Sequence, residues 1–280
     1  LAKVRTPDNP FLDDSTVAPE GVFFIIVGRP GAGKSSLLGQ IPKSLFYYHV
    51  NDRGVQRLRR RNLIPPETKL WHRPFRSWGT FRKELVEIRE TMLANDLKTL
   101  VLEGLGGIVE IMKHDAVDVH YGGTESAYDN FGKGVRKLRD QKTYIPWLLA
   151  QIDLFTEADL NVILTSHSED ESDTDVVSGE SFKTAKPEVP TTILNRVAGK
   201  SELVGFLTSR PKFVKANAKV TLSNGSGGTY REFTCHETAF CKAKNNHGIT
   251  EPMELDGTPA ENWKKICQGL KISRSTLKSL

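Results

Sequence analysis

Apolar residues along the chain fall into short unbroken runs separated by stretches of helical period. Residues 22–27, Val-Phe-Phe-Ile-Ile-Val, form a continuous apolar run, the pattern of a strand buried on both faces. The same pattern predicts strands at 45–50, at 99–102 and at 161–167, and a short edge strand at 69–72. Residues 81–95 read as an amphipathic helix, because Phe81, Leu85, Ile88 and Met92 recur at helical spacing with Arg and Glu between them. Residues 55–61 read as a basic helix and 108–112 as a helix start. Pro146 occupies a first helical turn, followed by Trp147, Leu148, Ile152 and Phe155 on one face. Residues 113–130 are polar and read as a long loop. So do 168–190, which open with the acidic run Glu169, Asp170, Glu171, Asp173 and Asp175; a structureless loop of that length in a compact domain is usually functional or disordered.

The C-terminal third changes character. Segments 203–209, 218–222 and 229–235 lean toward strand, and Asn224-Gly225-Ser226-Gly227-Gly228 predicts a turn joining the last two as a hairpin. Residues 239–244 add a candidate strand and 260–270 a final helix. The fold class expected is α/β: a mostly parallel sheet flanked by helices and extended by C-terminal antiparallel strands. The divisions expected are an extended arm at 1–20, a core at 21–257, and a C-terminal helix with a basic tail at 258–280.

Composition changes this picture little. With 280 residues, 38% hydrophobic and 26% charged, the chain can bury a full core. No apolar run approaches the ~20 residues that span a bilayer, and the start lacks a signal-peptide layout; the expectation is a cytoplasmic protein with no membrane partner. Cys235, Cys241 and Cys267 are too few and too irregular for a disulfide framework. His236 and His247 lie near the first two, but the spacing fits no zinc pattern. The net charge of +5 is modest, and two clusters concentrate it: Arg53, Arg57, Arg59, Arg60 and Arg61, and the stretch carrying Lys264, Lys265, Lys271, Arg274 and Lys278. Each reads equally well as a nucleic-acid footprint or as a solvated face.

Chemistry enters at residues 28–35. Gly28-Arg29-Pro30-Gly31-Ala32-Gly33-Lys34-Ser35 fits G-x-x-x-x-G-K-[ST] at every fixed position, between a predicted strand and a predicted helix. This is a phosphate cradle: backbone N–H groups converge on an anion and the helix start adds its positive end. Gly28 to Ser36 are therefore the expected nucleotide-binding residues. Lys34 is expected at the β- and γ-phosphates, and Ser35 on Mg²⁺. Hydrolysis needs carboxylates as well. Glu103 ends the third predicted strand, at the sheet edge where the cradle lies, and is expected in the magnesium shell or on the attacking water. Asp52, after the second strand, is a second candidate that reads equally as a surface partner of Arg53. His167, at the end of another strand, reads either as a sensor of the γ-phosphate or as a structural residue.

In their order, these features resemble the RecA-type recombination ATPases, and more closely the compact phage and prophage RecA-like "AAA" ATPases associated with single-strand annealing proteins. Two further stretches are similar to that group: Tyr128-Asp129-Asn130-Phe131-Gly132-Lys133, and Ala243-Lys244-Asn245-Asn246-His247-Gly248-Ile249. The resemblance implies a Mg²⁺-dependent ATPase acting on single-stranded DNA as a ring or filament, with an annealing or single-strand-binding protein as a possible partner. It implies that Asp52 stands at the catalytic Glu position, Glu103 at the magnesium-shell Asp position and His167 at the sensor position. Lys244 would reach a neighbouring subunit's nucleotide, where Asn246 lacks the second charge. The loops at 113–130 and 168–190 would face DNA; the acidic run of the second repels phosphate, which leaves Lys183 and Lys186 in its second half to contact the strand. The altered carboxylates imply slow hydrolysis. Two alternatives stay open: a helicase or packaging-type motor, and a nucleotide-dependent assembly protein that hydrolyses little.

Overall fold

The computed structural model describes residues 21–52, 54–174, 181–211, 213–216, 219–222, 229–238 and 241–270. The predicted arm at 1–20, Arg53, the turn at 224–228 and the basic tail with Lys271, Arg274 and Lys278 lie outside the described residues. The first half of the chain alternates strand and helix: β1 (Phe23–Val27), α1 (Lys34–Leu38), β2 (Ser44–Tyr48), α2 (Gly54–Arg60), β3 (Lys69–Leu70), α3 (Trp78–Ala94) and β4 (Thr99–Glu103). A helical stretch follows: α4 (Leu105–Tyr121), α5 (Glu125–Asp129), a single 3-10 turn at Asn130–Gly132, α6 (Lys133–Asp140) and α7 (Ile145–Thr156). Then come β5 (Asn161–Ser166), β6 (Ser168–Thr174), β7 (Ser181–Pro187), α8 (Thr191–Lys200) and β8 (Leu203–Pro211). The chain closes with β9 (Phe213–Ala216), β10 (Lys219–Leu222), β11 (Thr229–Thr234), β12 (Lys244–Asn245), β13 (Met253–Leu255) and α9 (Pro259–Gly269).

Among the described residues the main sheet runs β13-β11-β8-β1-β5-β4-β2-β3, with β12 also on β8. From β8 to β3 the strands are parallel; β11, β12 and β13 add antiparallel strands at one side. This is the α/β architecture expected. The unbroken apolar runs are explained by helices on both faces. Alternate residues of β1 serve opposite cores: Phe23, Ile25 and Val27 join a large core with α3, α4 and α7, while Phe24 and Ile26 join a smaller one with α1, α9 and Phe233.

Several expectations from sequence are corrected. Residues 113–121 are not loop but the second half of α4. Ala116 and Val117 are buried in line with Ile108 and Met112, so a polar outer face hides a continuous apolar stripe. Residues 168–190 are not structureless, since β6 and β7 pair antiparallel from Ser168↔Pro187 to Thr174↔Ser181. α8 went unpredicted because its buried face is only Ile193, Leu194 and Val197. The predicted pairing of 218–222 with 229–235 is replaced by two others: β10 pairs with β9, and β11 pairs with β8 over Thr229↔Pro211 to Thr234↔Phe206. Of the strand predicted at 239–244, residues 239–240 lie outside the described set and the pairing seen is Lys244–Asn245.

The seam between β8 and β11 is tight. A Cβ on Gly205 would sit 2.1 Å from the Phe233 ring, and that ring is fully buried. Gly205→Val is expected to destabilise the protein by about 1–3 kcal/mol through overpacking, read as a lowered urea midpoint at unchanged slope. An unchanged midpoint would contradict the packing at this seam.

Candidate functional site

All the chemistry expected from sequence, Lys244 apart, gathers at one edge of the sheet. β1, β5, β4 and β2 point the same way, so their C-terminal ends carry, in sheet order, the phosphate loop, His167, Glu103 and Asp52. Gly28 anchors the loop by donating its N–H to Ser166 O at 3.2 Å, and Ala32 N–H closes a turn onto Arg29 O at 3.1 Å. Gly33 has φ 97°, a left-handed conformation that glycine adopts without strain, and α1 starts directly after it. Arg231, from β11, braces the loop: its Nε donates to Ala32 O at 2.9 Å. Its guanidinium lies within 2.8–3.1 Å of where a Cβ on Gly33 would stand. Nothing in the local sequence marks Arg231, because the two partners are 199 residues apart.

Lys34 is largely buried and turns onto the loop. Its ammonium donates to Gly28 O at 2.6 Å and to His167 Nδ1 at 3.2 Å. A lysine offers only donors, so Nδ1 accepts and the imidazole proton sits on Nε2, which faces Asp52 Oδ2 at 3.9 Å. Burial pushes the Lys34 pKa down, opposed by the charges of Asp52 and Glu103. These contacts link the phosphate loop to Asp52 through one lysine and one histidine.

Glu103 is 2% exposed. Its Oε1 accepts the Ser35 hydroxyl, while its Oε2 is buried with no hydrogen-bond partner. Its pKa is pushed up to about 8, first by burial and then by the neighbouring charge of Asp52, against the pull of Ser35 and Lys34. Gly54 opens the space among these groups. A Cβ there would stand 3.1 Å from Ser35 Oγ, 3.5 Å from Glu103 Oε1 and 3.6 Å from Asp52 Oδ1, so three oxygens converge where glycine leaves room. An orphaned carboxylate oxygen beside a hydroxyl is a donor set suited to a hard cation. These residues fit Mg²⁺, with Ser35 and Glu103 as the holding groups and Asp52 close by. Among the described residues no group of three or more His, Cys, Asp or Glu could hold a metal ion.

Beside this cluster lies a cavity of about 290 Å³ lined by His49, Asp52, Gly104, Glu110, His167 and Glu188. His49, Glu110 and Glu188 were not singled out in the sequence. His49 is held in place by Gly107, where a Cβ would come within 2.5 Å of the imidazole, and its pKa is lowered, chiefly by burial. On the other side of the loop a cavity of about 620 Å³ is bounded by Arg29, Pro30, Gly31, Ser168, Asp170 and Arg210. Arg29 makes a two-pronged ion pair with Asp170 of β6, at 2.7 and 2.8 Å, tying the phosphate loop to the β6–β7 hairpin. Ser36 and Asn262 line a small crevice beneath Arg231.

Lys244 stands apart. Its ammonium donates to Ala198 O at 3.0 Å, Gly199 O at 3.2 Å and Ser201 O at 2.5 Å, satisfying the carbonyls at the end of α8. β12 pairs it with Val204, near the start of β8 and so at the sheet edge away from the phosphate loop. Within its own chain it caps α8; reaching a neighbouring subunit's nucleotide would require it to leave these carbonyls. The three cysteines are free and buried, and burial raises the thiols of Cys235 and Cys267 to about 11 and about 12, as inert core residues require. Among the described residues no helix is long and apolar enough to cross a membrane.

Residues 20–245 match the family model AAA_24, described as an AAA domain. The chain belongs to this AAA-domain family. Nucleotide binding by the phosphate loop is therefore a property of its family as well as of its geometry. No curated protein matches the chain. Among solved structures, the flagellar accessory protein FlaH from Methanocaldococcus jannaschii is similar at 11% identity, covering 84% of this chain and 85% of that one with a TM-score of 0.38.

Glu103 has a consequence for stability. Its pKa is raised on folding, so ionising it favours the unfolded chain, and stability falls as pH rises from the ordinary carboxylate range through about 8. In metal-free buffer, Glu103→Gln is expected to flatten the decline of urea stability across that window. Identical slopes in the two proteins would show that Glu103 is already ionised in the fold.

Proposed function

We propose that this AAA-domain protein is a Mg²⁺-dependent ATPase acting on single-stranded DNA, in phage-type recombination or annealing, and that it works as an oligomer. The observation that carries the reading is how His167 is held. Its ring bonds the catalytic lysine, its own chain runs straight into β6, and its carbonyl accepts the N–H of Glu188, the residue after β7, at 2.8 Å. Both stems of the hairpin therefore rest on the residue that touches Lys34. A γ-phosphate that draws Lys34 away from Gly28 O and His167 changes the support of the hairpin, which is how a nucleotide state would reach a DNA-facing surface.

In this reading Lys34 and the loop amides bind the β- and γ-phosphates, and Ser35 and Glu103 hold the magnesium. Bound there, magnesium supplies neutralisation of charge on the phosphate oxygens. Asp52, which faces His167 Nε2 beside the open cavity, orients the attacking water and accepts its proton. The direct Ser35–Glu103 contact favours one alternative, a nucleotide-dependent assembly protein with little turnover, because the metal must displace that contact to bind. An annealing or single-strand-binding protein remains the partner this function calls for.

ATP turnover with and without oligo(dT) tests the proposal, with Lys34→Ala as control. Turnover is expected to rise at least several-fold with DNA and to vanish in the variant. Turnover indifferent to DNA, together with no DNA binding at moderate salt, would overturn the DNA role.

A further inference from the structure

The turn between α5 and α6 displays an aromatic ring that the fold makes no use of. Phe131 is 87% exposed, the most exposed large apolar residue among those described. Its backbone lies at φ 48°, a left-handed conformation that a bulky residue adopts only under strain. The turn is nevertheless firmly held. Tyr128 on one side is buried, packs edge-on against Tyr121 at 5.7 Å, and lies so close under α6 that a Cβ on Gly134 would meet its ring at 2.3 Å. On the other side the Arg136 guanidinium donates to Phe131 O at 3.1 Å. A strained, anchored turn that points a phenyl ring into water presents that ring rather than merely tolerating it.

The surroundings of the ring specify what it meets. Lys133 and Arg136 are exposed beside it on α6. The nearby acids are engaged elsewhere: Asp129 faces Lys113 at 3.8 Å and Asp140 pairs with Arg139 at 2.6 Å. The patch is a flat apolar face bordered by cations rather than by an apolar rim. A protein pocket would want apolar neighbours around the ring. An unpaired nucleotide offers a π-face flanked by phosphates, which a duplex buries in its stack.

We infer that Phe131 is a stacking platform for a base of single-stranded DNA, with Lys133 and Arg136 on the adjoining phosphates. This deepens the proposed DNA role and rests on it. Within the segment 113–130 expected to face DNA, it places the contact at the far end, in the turn at 129–132, since 113–121 belong to α4.

The test is binding to oligo(dT) carrying one 2-aminopurine, followed by anisotropy and by 2-aminopurine fluorescence across a salt series. Phe131→Ala is expected to weaken binding about 10-fold, to abolish the fluorescence change, and to leave the salt slope and DNA-free ATP turnover unchanged. Phe131→Trp is expected to restore binding and Phe131→Leu is not. Lys133→Gln should instead lower the salt slope by about 0.7 and keep the fluorescence change. Normal DNA binding and fluorescence by Phe131→Ala would overturn the platform while leaving the DNA role intact. No DNA binding by the unaltered protein would overturn both. A loss of self-association in Phe131→Ala without DNA, seen by sedimentation, would assign the ring to a protein contact instead.

Discussion

Strand register is the constraint on which the site depends. Val27 stands opposite Ser166, Thr165 opposite Glu103, and Glu103 opposite Tyr48. Because side chains alternate faces along a strand, a slip of one residue anywhere in that series would turn Glu103 or His167 away. The register is held by apolar residues buried on both faces of β1, β4 and β5. The same hydrophobic runs that make the sheet therefore set the spacing of the polar groups at its end.

Burial then gives those groups their properties. The charge of Asp52 acts on both Lys34 and Glu103, and those two act on each other, in a place where each buried charge alone would be costly. The lysine is satisfied by loop carbonyls and by His167, and one oxygen of Glu103 by Ser35. What stays unsatisfied is the second oxygen of Glu103. A cation bound with a nucleotide would supply what that oxygen lacks. The Arg29–Asp170 pair and the His167–Glu188 contact attach the β6–β7 hairpin to the same cluster.

Much of this was legible in the sequence because it is local. The phosphate loop is an eight-residue pattern, and Glu103, Asp52 and His167 each follow an apolar run whose end can be read. What was missed is what depends on distant packing. Arg231 reaches Ala32 across the fold, and α4 continues past Met112 only because Ala116 and Val117 find a core to enter. The β6–β7 hairpin hid in a run of acids because its pairing is satisfied across strands, as between Glu169 and Lys186 at 3.5 Å. The contacts of Lys244 are likewise set by distant packing: it caps α8, a helix whose short apolar face is hard to read from sequence.

The proposed function requires Asp52 to be the group that works on water in a site otherwise built for binding. Single-turnover ATP hydrolysis by Asp52→Asn, alongside its ATP affinity, tests this most directly. The expected result is affinity within a few-fold of the unaltered protein and hydrolysis slowed about 100-fold, the loss typical of removing a general base. Hydrolysis at the unaltered rate would contradict the account and place the catalytic carboxylate elsewhere.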